Sequence, residues 1–161
     1  MGGVYADKVV SAHSTGTAAV STTVATVREV DGKPIALFRE LRMRLNLTTE
    51  MGGDTPTCDV YLQRAVAEDP DSAVDADWED FYHFPQLTTS KVDRIINLPL
   101  PLPQDVDASL GSYSRARAIE ALAADTVLGG HWMGPIRVRE VVTKGAGAIT
   151  AGIYDIEMVG R

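Results

Sequence analysis

The sequence predicts a mainly β protein: an antiparallel β-sandwich of jelly-roll-like form, with one inserted helix and an extended N-terminal arm. Three observations support this prediction. About six or seven segments alternate between apolar and polar residues, turn residues separate these segments, and one stretch has the spacing of an amphipathic helix. With 161 residues, the chain is long enough for one domain with its own hydrophobic core.

The composition excludes several classes of function. Apolar residues make up 45% and charged residues 23% of the chain, as in ordinary globular proteins. The net charge of −7 repels phosphate, so we expect no nucleic-acid partner. No apolar run approaches the ~18 residues that span a bilayer, and no signal peptide is recognisable, so we expect no membrane association and synthesis in a cytoplasm. The single cysteine, Cys58, excludes an internal disulfide and a multi-cysteine zinc site.

Residues 1–34 are interpreted as either a first strand or an extended arm that lies across a neighbouring chain. Residues 11–27 are almost all Ala, Ser, Thr, Val and Gly, which favours a strand but offers little bulk for a core. Turn residues at 31–34 end this region. In the arm interpretation, contacts with another chain are expected at Val20, Val24 and Val27.

Residues 35–161 are assigned to the sandwich domain, which begins with two strong strand patterns. Residues 35–48 place alternate residues on one face, and after Arg39 these are all apolar. A glycine-rich turn at 49–57 leads to a second strand. The inward residues of the first strand are Leu37, Leu41, Met43, Leu45 and Leu47, with Phe38 on the other face, and those of the second are Cys58, Val60 and Leu62, with Val66 as a further candidate.

An acidic loop follows at residues 68–80, with seven carboxylates in 13 positions. Convergent carboxylates can bind calcium, but this loop lacks the Asp-x-Asp-x-Asp-Gly pattern and a glycine for the sharp turn. We therefore favour a solvated hairpin over a cation site. Aromatic residues from Trp78 to Phe84 form the next strand and anchor the loop.

The second half of the domain contains an insertion at residues 99–130. A fourth strand at 92–100 ends in a proline connector with Pro99, Pro101 and Pro103, since proline has no N–H to offer a sheet. The predicted helix covers residues 114–128, where apolar residues recur three or four apart, and two glycines stop it. Two further strands, at 136–143 and 149–159, complete the domain.

No motif typical of an enzyme is present. The histidines His13, His83 and His131 lie far apart and lack zinc-ligand spacing. Cys58 points inward, and no nucleophile elbow, Walker loop or dinucleotide fingerprint is recognisable. We expect no catalysis, no cofactor and no metal ion. Two tryptophans could stack on a sugar, but Trp78 fits a core, and an exposed Trp132–Met133 pair is more typical of a protein contact.

Several segments together resemble a group of tailed-bacteriophage virion proteins. They are residues 41–48 (Leu-Arg-Met-Arg-Leu-Asn-Leu-Thr), 55–57 (Thr-Pro-Thr), 59–63 (Asp-Val-Tyr-Leu-Gln), 78–84 (Trp-Glu-Asp-Phe-Tyr-His-Phe) and 134–139 (Gly-Pro-Ile-Arg-Val-Arg). These segments are similar to the strands and turns of phage β-sandwich proteins, most often capsid decoration (cement) proteins. The chain departs from that pattern in its insertion and in having Asp71-Ser72 where Asp-Gly is usual.

The resemblance implies a structural virion protein that binds the outside of the phage capsid and cements subunits of the major capsid protein. It also implies a homotrimer, a location on the capsid surface after synthesis in the host cytoplasm, and no need of a cofactor. Two alternatives remain open at this stage. One is a tail, neck or head-fibre component, and the other is a carbohydrate-binding or adhesive sandwich module.

Overall fold

The computed structural model of the chain describes residues 5–12, 20–30, 32–52, 56–90, 93–99, 124, 134–143 and 151–161. Within these ranges the strands are β1 (Tyr5–Ala12), β2 (Val20–Val27), β3 (Glu29–Val30), β4 (Lys33–Pro34), β5 (Glu40–Gly52), β6 (Thr57–Ala65), β7 (Trp78–His83), β8 (Asp93–Pro99), β9 (Ile136–Thr143) and β10 (Ala151–Gly160). Short 3-10 helices cover Ile35–Leu37 and Asp75–Asp77. Of the predicted helix at 114–128 only residue 124 is described, in a turn, and the connector beyond Pro99 lies outside the described residues.

The eight longer strands form two antiparallel four-stranded sheets. Sheet A has the order β1-β10-β5-β8, and sheet B has the order β2-β9-β6-β7. If these strands are numbered one to eight along the chain, the two orders read 1-8-3-6 and 2-7-4-5, which is the double Greek key of a jelly roll. The predicted mainly β, antiparallel fold is confirmed.

The hydrophobic core lies between the two sheets. Alternate residues of β5 and β10 in sheet A face alternate residues of β6 and β9 in sheet B, as the period of two in a strand requires. β7 adds aromatic residues to the same core. The most deeply buried side chains from these strands include Leu41, Met43, Leu45, Val60, Leu62, Phe81, Ile136, Val138, Ile156 and Met158.

Two details at the start of β5 differ from the sequence prediction. Residues Ile35–Leu37 form a 3-10 helix rather than the beginning of the strand, so Leu37 is 69% exposed instead of inward. Phe38 is buried instead of outward, and a Cβ added to Gly160 would lie 2.5 Å from its ring. Likewise, Val66 is 42% exposed because it lies beyond the end of β6.

The N-terminal segment belongs to the domain. β1 pairs with β10 from Tyr5 opposite Gly160 to Ala12 opposite Ile153, and β2 pairs with β9 along its length. β1 and β2 are the outermost strands of sheets A and B, and both pair with strands of the same chain. This corrects the expectation of an extended arm and agrees with the first-strand interpretation of this region.

Candidate functional site

The acidic loop folds onto the outer face of sheet B, where Arg137 of β9 holds it. Arg137 is fully buried. Its guanidinium donates to Gln63 Oε1 at 2.7 Å and to the carbonyl oxygen of Ser72 at 2.8 Å, and it pairs with Asp75 at 2.9 Å. Because two of these acceptors lie in the acidic loop and the third lies on β6, one side chain fixes the loop to the sheet.

Trp78 lies beneath the same loop. Its indole nitrogen donates to the carbonyl oxygen of Asp71 at 2.7 Å, and the guanidinium carbon of Arg137 lies 5.0 Å from the ring centroid. This distance is within the range of a cation–π contact. Trp78 is only 2% exposed, so it does not offer a surface on which a sugar could stack.

The carboxylates of the acidic loop stabilise the loop itself. Asp71 accepts a hydrogen bond from the backbone N–H of Ala73 at 2.8 Å, and Asp77 accepts one from the N–H of Asp71 at 2.9 Å. Asp75 contacts both Arg137 and Arg139, the latter at 3.4 Å. In the described part of the chain, no group of three or more His, Cys, Asp or Glu side chains is arranged to hold a metal ion. The loop is thus held to the sheet at Ser72 and Asp75, while residues 71–76 are exposed to solvent, as we expected of this loop.

A second polar group on sheet B centres on Asp59. Its carboxylate accepts two hydrogen bonds from Gln86, at 3.0 and 3.2 Å, and lies 3.1 Å from Nε2 of His83. The His83 ring stacks on Tyr61 with a centroid separation of 4.2 Å. Burial, and then the nearby Asp59 and Asp80 carboxylates, raise the pKa of Tyr61 to about 12. His83 is buried and contacts Asp59 and Tyr61 in this cluster, as expected of a structural histidine.

Two further polar pairs are buried between or at the end of the sheets. The Tyr154 hydroxyl of sheet A donates to Glu140 of sheet B at 2.9 Å, and Arg64 pairs with Glu79 at 2.9 Å. Cys58 is fully buried, and burial, together with the Glu140 and Asp59 carboxylates, raises the pKa of its thiol well above the usual range. A thiol that stays protonated is a weak nucleophile, so Cys58 is not suited to catalysis.

The outer face of sheet A, by contrast, is open in the described residues and carries a charge network. Arg44 makes two parallel hydrogen bonds to Asp93, at 2.9 and 2.8 Å, and lies 3.9 Å from Glu157. The hydrogen bond from Arg44 lowers the pKa of Asp93, and Asp93 in turn raises the pKa of Arg44. On the same strands, Ile95 is 45% exposed and Ile153 is 41% exposed. We define the open face as Arg42, Arg44, Asn46, Asp93, Ile95, Asn97, Ile153, Asp155 and Glu157.

A shallow hollow of about 270 Å³ lies at one end of the sandwich. It contains no serine, cysteine or histidine, so its lining offers none of the usual nucleophiles. The lining residues are Arg28, Glu29, Pro34, Ile35, Ala36, Gly134 and Pro135.

The residues predicted to contact another chain have different positions. Val20 and Val24 lie on β2, at the edge of sheet B. Val27 is only 7% exposed and packs in the hydrophobic core, which corrects the expectation that it is a surface contact. Trp132 and Met133 lie outside the described residues.

Sequence reasoning did not single out Arg137 or the Tyr154–Glu140 pair. Glu140 is the one polar residue among the apolar inward residues of β9, and this break in the alternation is the signal that could have found it, whereas Tyr154 continues the apolar alternation of β10. No such signal marks Arg137, because an arginine on the outer face of a strand is ordinary.

No helix among the described residues is long and apolar enough to cross a membrane. Comparison with protein-family models finds no match to this chain. Comparison with curated proteins likewise finds none. Comparison with solved structures finds none either.

Proposed function

We propose that this protein is a structural component of a phage particle that binds the outside of the capsid and joins subunits of the major capsid protein, without catalysis. The observation that carries the proposal is the jelly-roll strand order, an architecture used by viral capsid proteins. Four of the five segments that resemble phage virion proteins lie mainly in β5, β6, β7 and β9, which are strands of this framework.

Because one fold serves many functions, the polar groups provide separate support. The buried polar side chains described above hold a loop, stack on a neighbour or link the two sheets. Such a use of polar groups fits a protein whose role is mechanical. A rigid domain loses little conformational entropy on binding, which favours a lasting attachment.

The open face of sheet A is the surface that we assign to the capsid. It combines charges of both signs with two half-exposed isoleucines, while the acidic loop covers part of the opposite face of the sandwich. Charges of both signs select partner and register more than they add affinity, and the isoleucines supply apolar area. From the resemblance we also propose a homotrimer on the capsid surface, with no nucleic-acid or membrane partner.

Co-sedimentation with purified capsids that lack this protein tests the proposal. We expect the chain to bind these capsids and to raise the temperature at which they release their DNA. Ile95→Asp on the open face should reduce binding, whereas Val66→Asp, at a residue of similar exposure beyond the end of β6, should leave it unchanged. Absence of capsid binding would refute the proposal. Binding to isolated tails or necks, or to a glycan array, would then support one of the alternative functions.

A further inference from the structure

Four strands lie at the edges of the two sheets, and among the described residues each of them has a neighbouring strand on one side only. These are β1 and β8 in sheet A, and β2 and β7 in sheet B. An open edge is a template on which another chain can add a strand. Natural proteins commonly block such edges with charged residues or proline.

β2 differs from the other three edges in its residues. Its sequence, Val-Ser-Thr-Thr-Val-Ala-Thr-Val, contains neither a charged residue nor a proline over eight positions, and six of the eight residues are Val or Thr, at 20, 22, 23, 24, 26 and 27. Val and Thr favour extended structure. The other edges carry charges or proline at Asp7, Lys8, Glu79, Asp80, Asp93, Arg94 and Pro99.

We infer that β2 pairs antiparallel with β2 of a second copy of this chain, across a two-fold axis perpendicular to the sheet. Two four-stranded B sheets would then form one continuous sheet of eight strands. A second copy fits this edge because the strand opposes no like charges in any register, and because two-fold contacts are the commonest between identical chains. The contact leaves the open face of sheet A free, so it does not depend on the proposed capsid role.

Symmetry constrains how the two strands align. A two-fold axis places one residue of β2 opposite the same residue of the second copy. In every other opposing pair, the two residue numbers add up to twice the number of the residue at the axis. With Thr23 at the axis, for example, Thr22 faces Val24 of the partner subunit. The pairing of β2 with β9 shifts register between Thr23 and Ala25, so the position of the axis is a quantity to be measured.

The size of the contact sets its expected strength. An edge of eight residues buries less than the ~800 Å² per partner of a typical stable complex. We therefore expect a dimer that dissociates on dilution in solution. Where many copies are held close together on one surface, the same contact becomes effectively intramolecular and much stronger.

Disulfide trapping tests the alignment. Cys58 is the chain's one cysteine and is fully buried, so a cysteine introduced into β2 is the reactive thiol. Among Ser21→Cys, Thr22→Cys, Thr23→Cys, Val24→Cys and Ala25→Cys, one variant should form a dimer at least about tenfold faster than the others, as the distance limits of a disulfide require. Mixtures of two variants whose numbers add up to twice that position should also crosslink. Equal rates across the scan would overturn the inference.

The oligomeric state provides the second test. Light scattering on the wild-type chain at increasing concentration should show an assembly whose mass is halved by Thr23→Lys but not by the matched control Thr23→Ser. Halving is expected whether the assembly is a dimer or a pair of trimers. Circular dichroism of both variants checks that they fold. If Thr23→Lys does not fold, the wild-type chain provides the test instead: amide hydrogen exchange in β2 should slow as the protein concentration rises. A monomer at every concentration, or a mass unaffected by Thr23→Lys in a folded variant, would overturn the inference, whatever the outcome of the capsid experiment.

Discussion

The hydroxyl of Tyr154 in β10 donates a hydrogen bond of 2.9 Å to the carboxylate of Glu140 in β9, and this bond connects the two sheets through the core. Both residues are buried, with exposures of 1% and 7%. A hydrogen bond to a charged group in such a place is stronger than one at the surface, because water does not compete for either partner.

Tyr154→Phe should therefore destabilise the protein by about 1.5–3 kcal/mol, the usual worth of a hydrogen bond to a charged group. The substitution removes the donor and leaves the aromatic ring in place, so the loss reports on the bond. Glu140→Gln keeps an acceptor at the same position and should cost less. Urea unfolding monitored by fluorescence measures both variants. If Tyr154→Phe is as stable as the wild type, the bond does not contribute to folding.

Arg137→Lys should release the acidic loop while keeping the positive charge. The lysine lacks the planar group that reaches Gln63, Ser72 and Asp75 together, so we expect a loss of about 3 kcal/mol, at about 1 kcal/mol for each hydrogen bond. Limited proteolysis should also cut residues 66–77 faster.

Arg139→Lys is the matched control for this experiment. Arg139 contacts the same Asp75 at 3.4 Å, but its side chain is 28% exposed, so the substitution should cost at most about 1 kcal/mol. Similar effects at the two positions would show that Arg137 has no special part in holding the loop.

Gly160→Ala should disturb the packing of Phe38. An added Cβ at Gly160 would lie 2.5 Å from the Phe38 ring, which is buried and has little room to move, so we expect a loss of about 1–3 kcal/mol. At Gly134 the nearest atom to an added Cβ is that of Ala65, at 3.6 Å, an ordinary contact. Gly134→Ala should thus change stability by less than about 0.5 kcal/mol. Thermal unfolding measures the stability of the two variants, and equal losses of stability would contradict this account.

The alternation of apolar residues was sufficient to predict the core side of the central strands. Leu41, Met43, Leu45 and Leu47 alternate on β5 and are all buried in the structure. This works because burial on one face of a strand depends on a period of two that the sequence displays directly. Before β5 the predicted alternation is wrong at Leu37 and Phe38, because residues 35–37 form a 3-10 helix instead of the beginning of the strand.

The same alternation could not predict the burial of the opposite face of sheet B. Gln63 and Arg137 are polar residues at outward positions, as on a solvated face, yet their exposures are 4% and 0%. They are buried because the acidic loop folds back over them, with Arg137 reaching Ser72 across 65 positions of the chain. Sequence periodicity reports only the local geometry of a strand. It carries no information about a loop that folds back over the sheet, because that contact is between residues far apart in the chain.

The ion pair on the open face predicts how stability depends on pH. The hydrogen bond from Arg44 lowers the pKa of Asp93 in the folded protein, below the ordinary value of about 3.9 in the unfolded chain. The pair therefore stabilises the folded state above about pH 4, and this contribution disappears as the pH falls through the lowered pKa. Asp93→Asn should be less stable than the wild type at neutral pH by a small, salt-sensitive margin that vanishes in acid, since the pair is exposed. Urea unfolding of both proteins between neutral and acidic pH measures that margin, and NMR titration of Asp93 should show its pKa rising in Arg44→Gln. A margin that stays constant into acid, or an Asp93 pKa that does not respond to Arg44→Gln, would contradict the assignment.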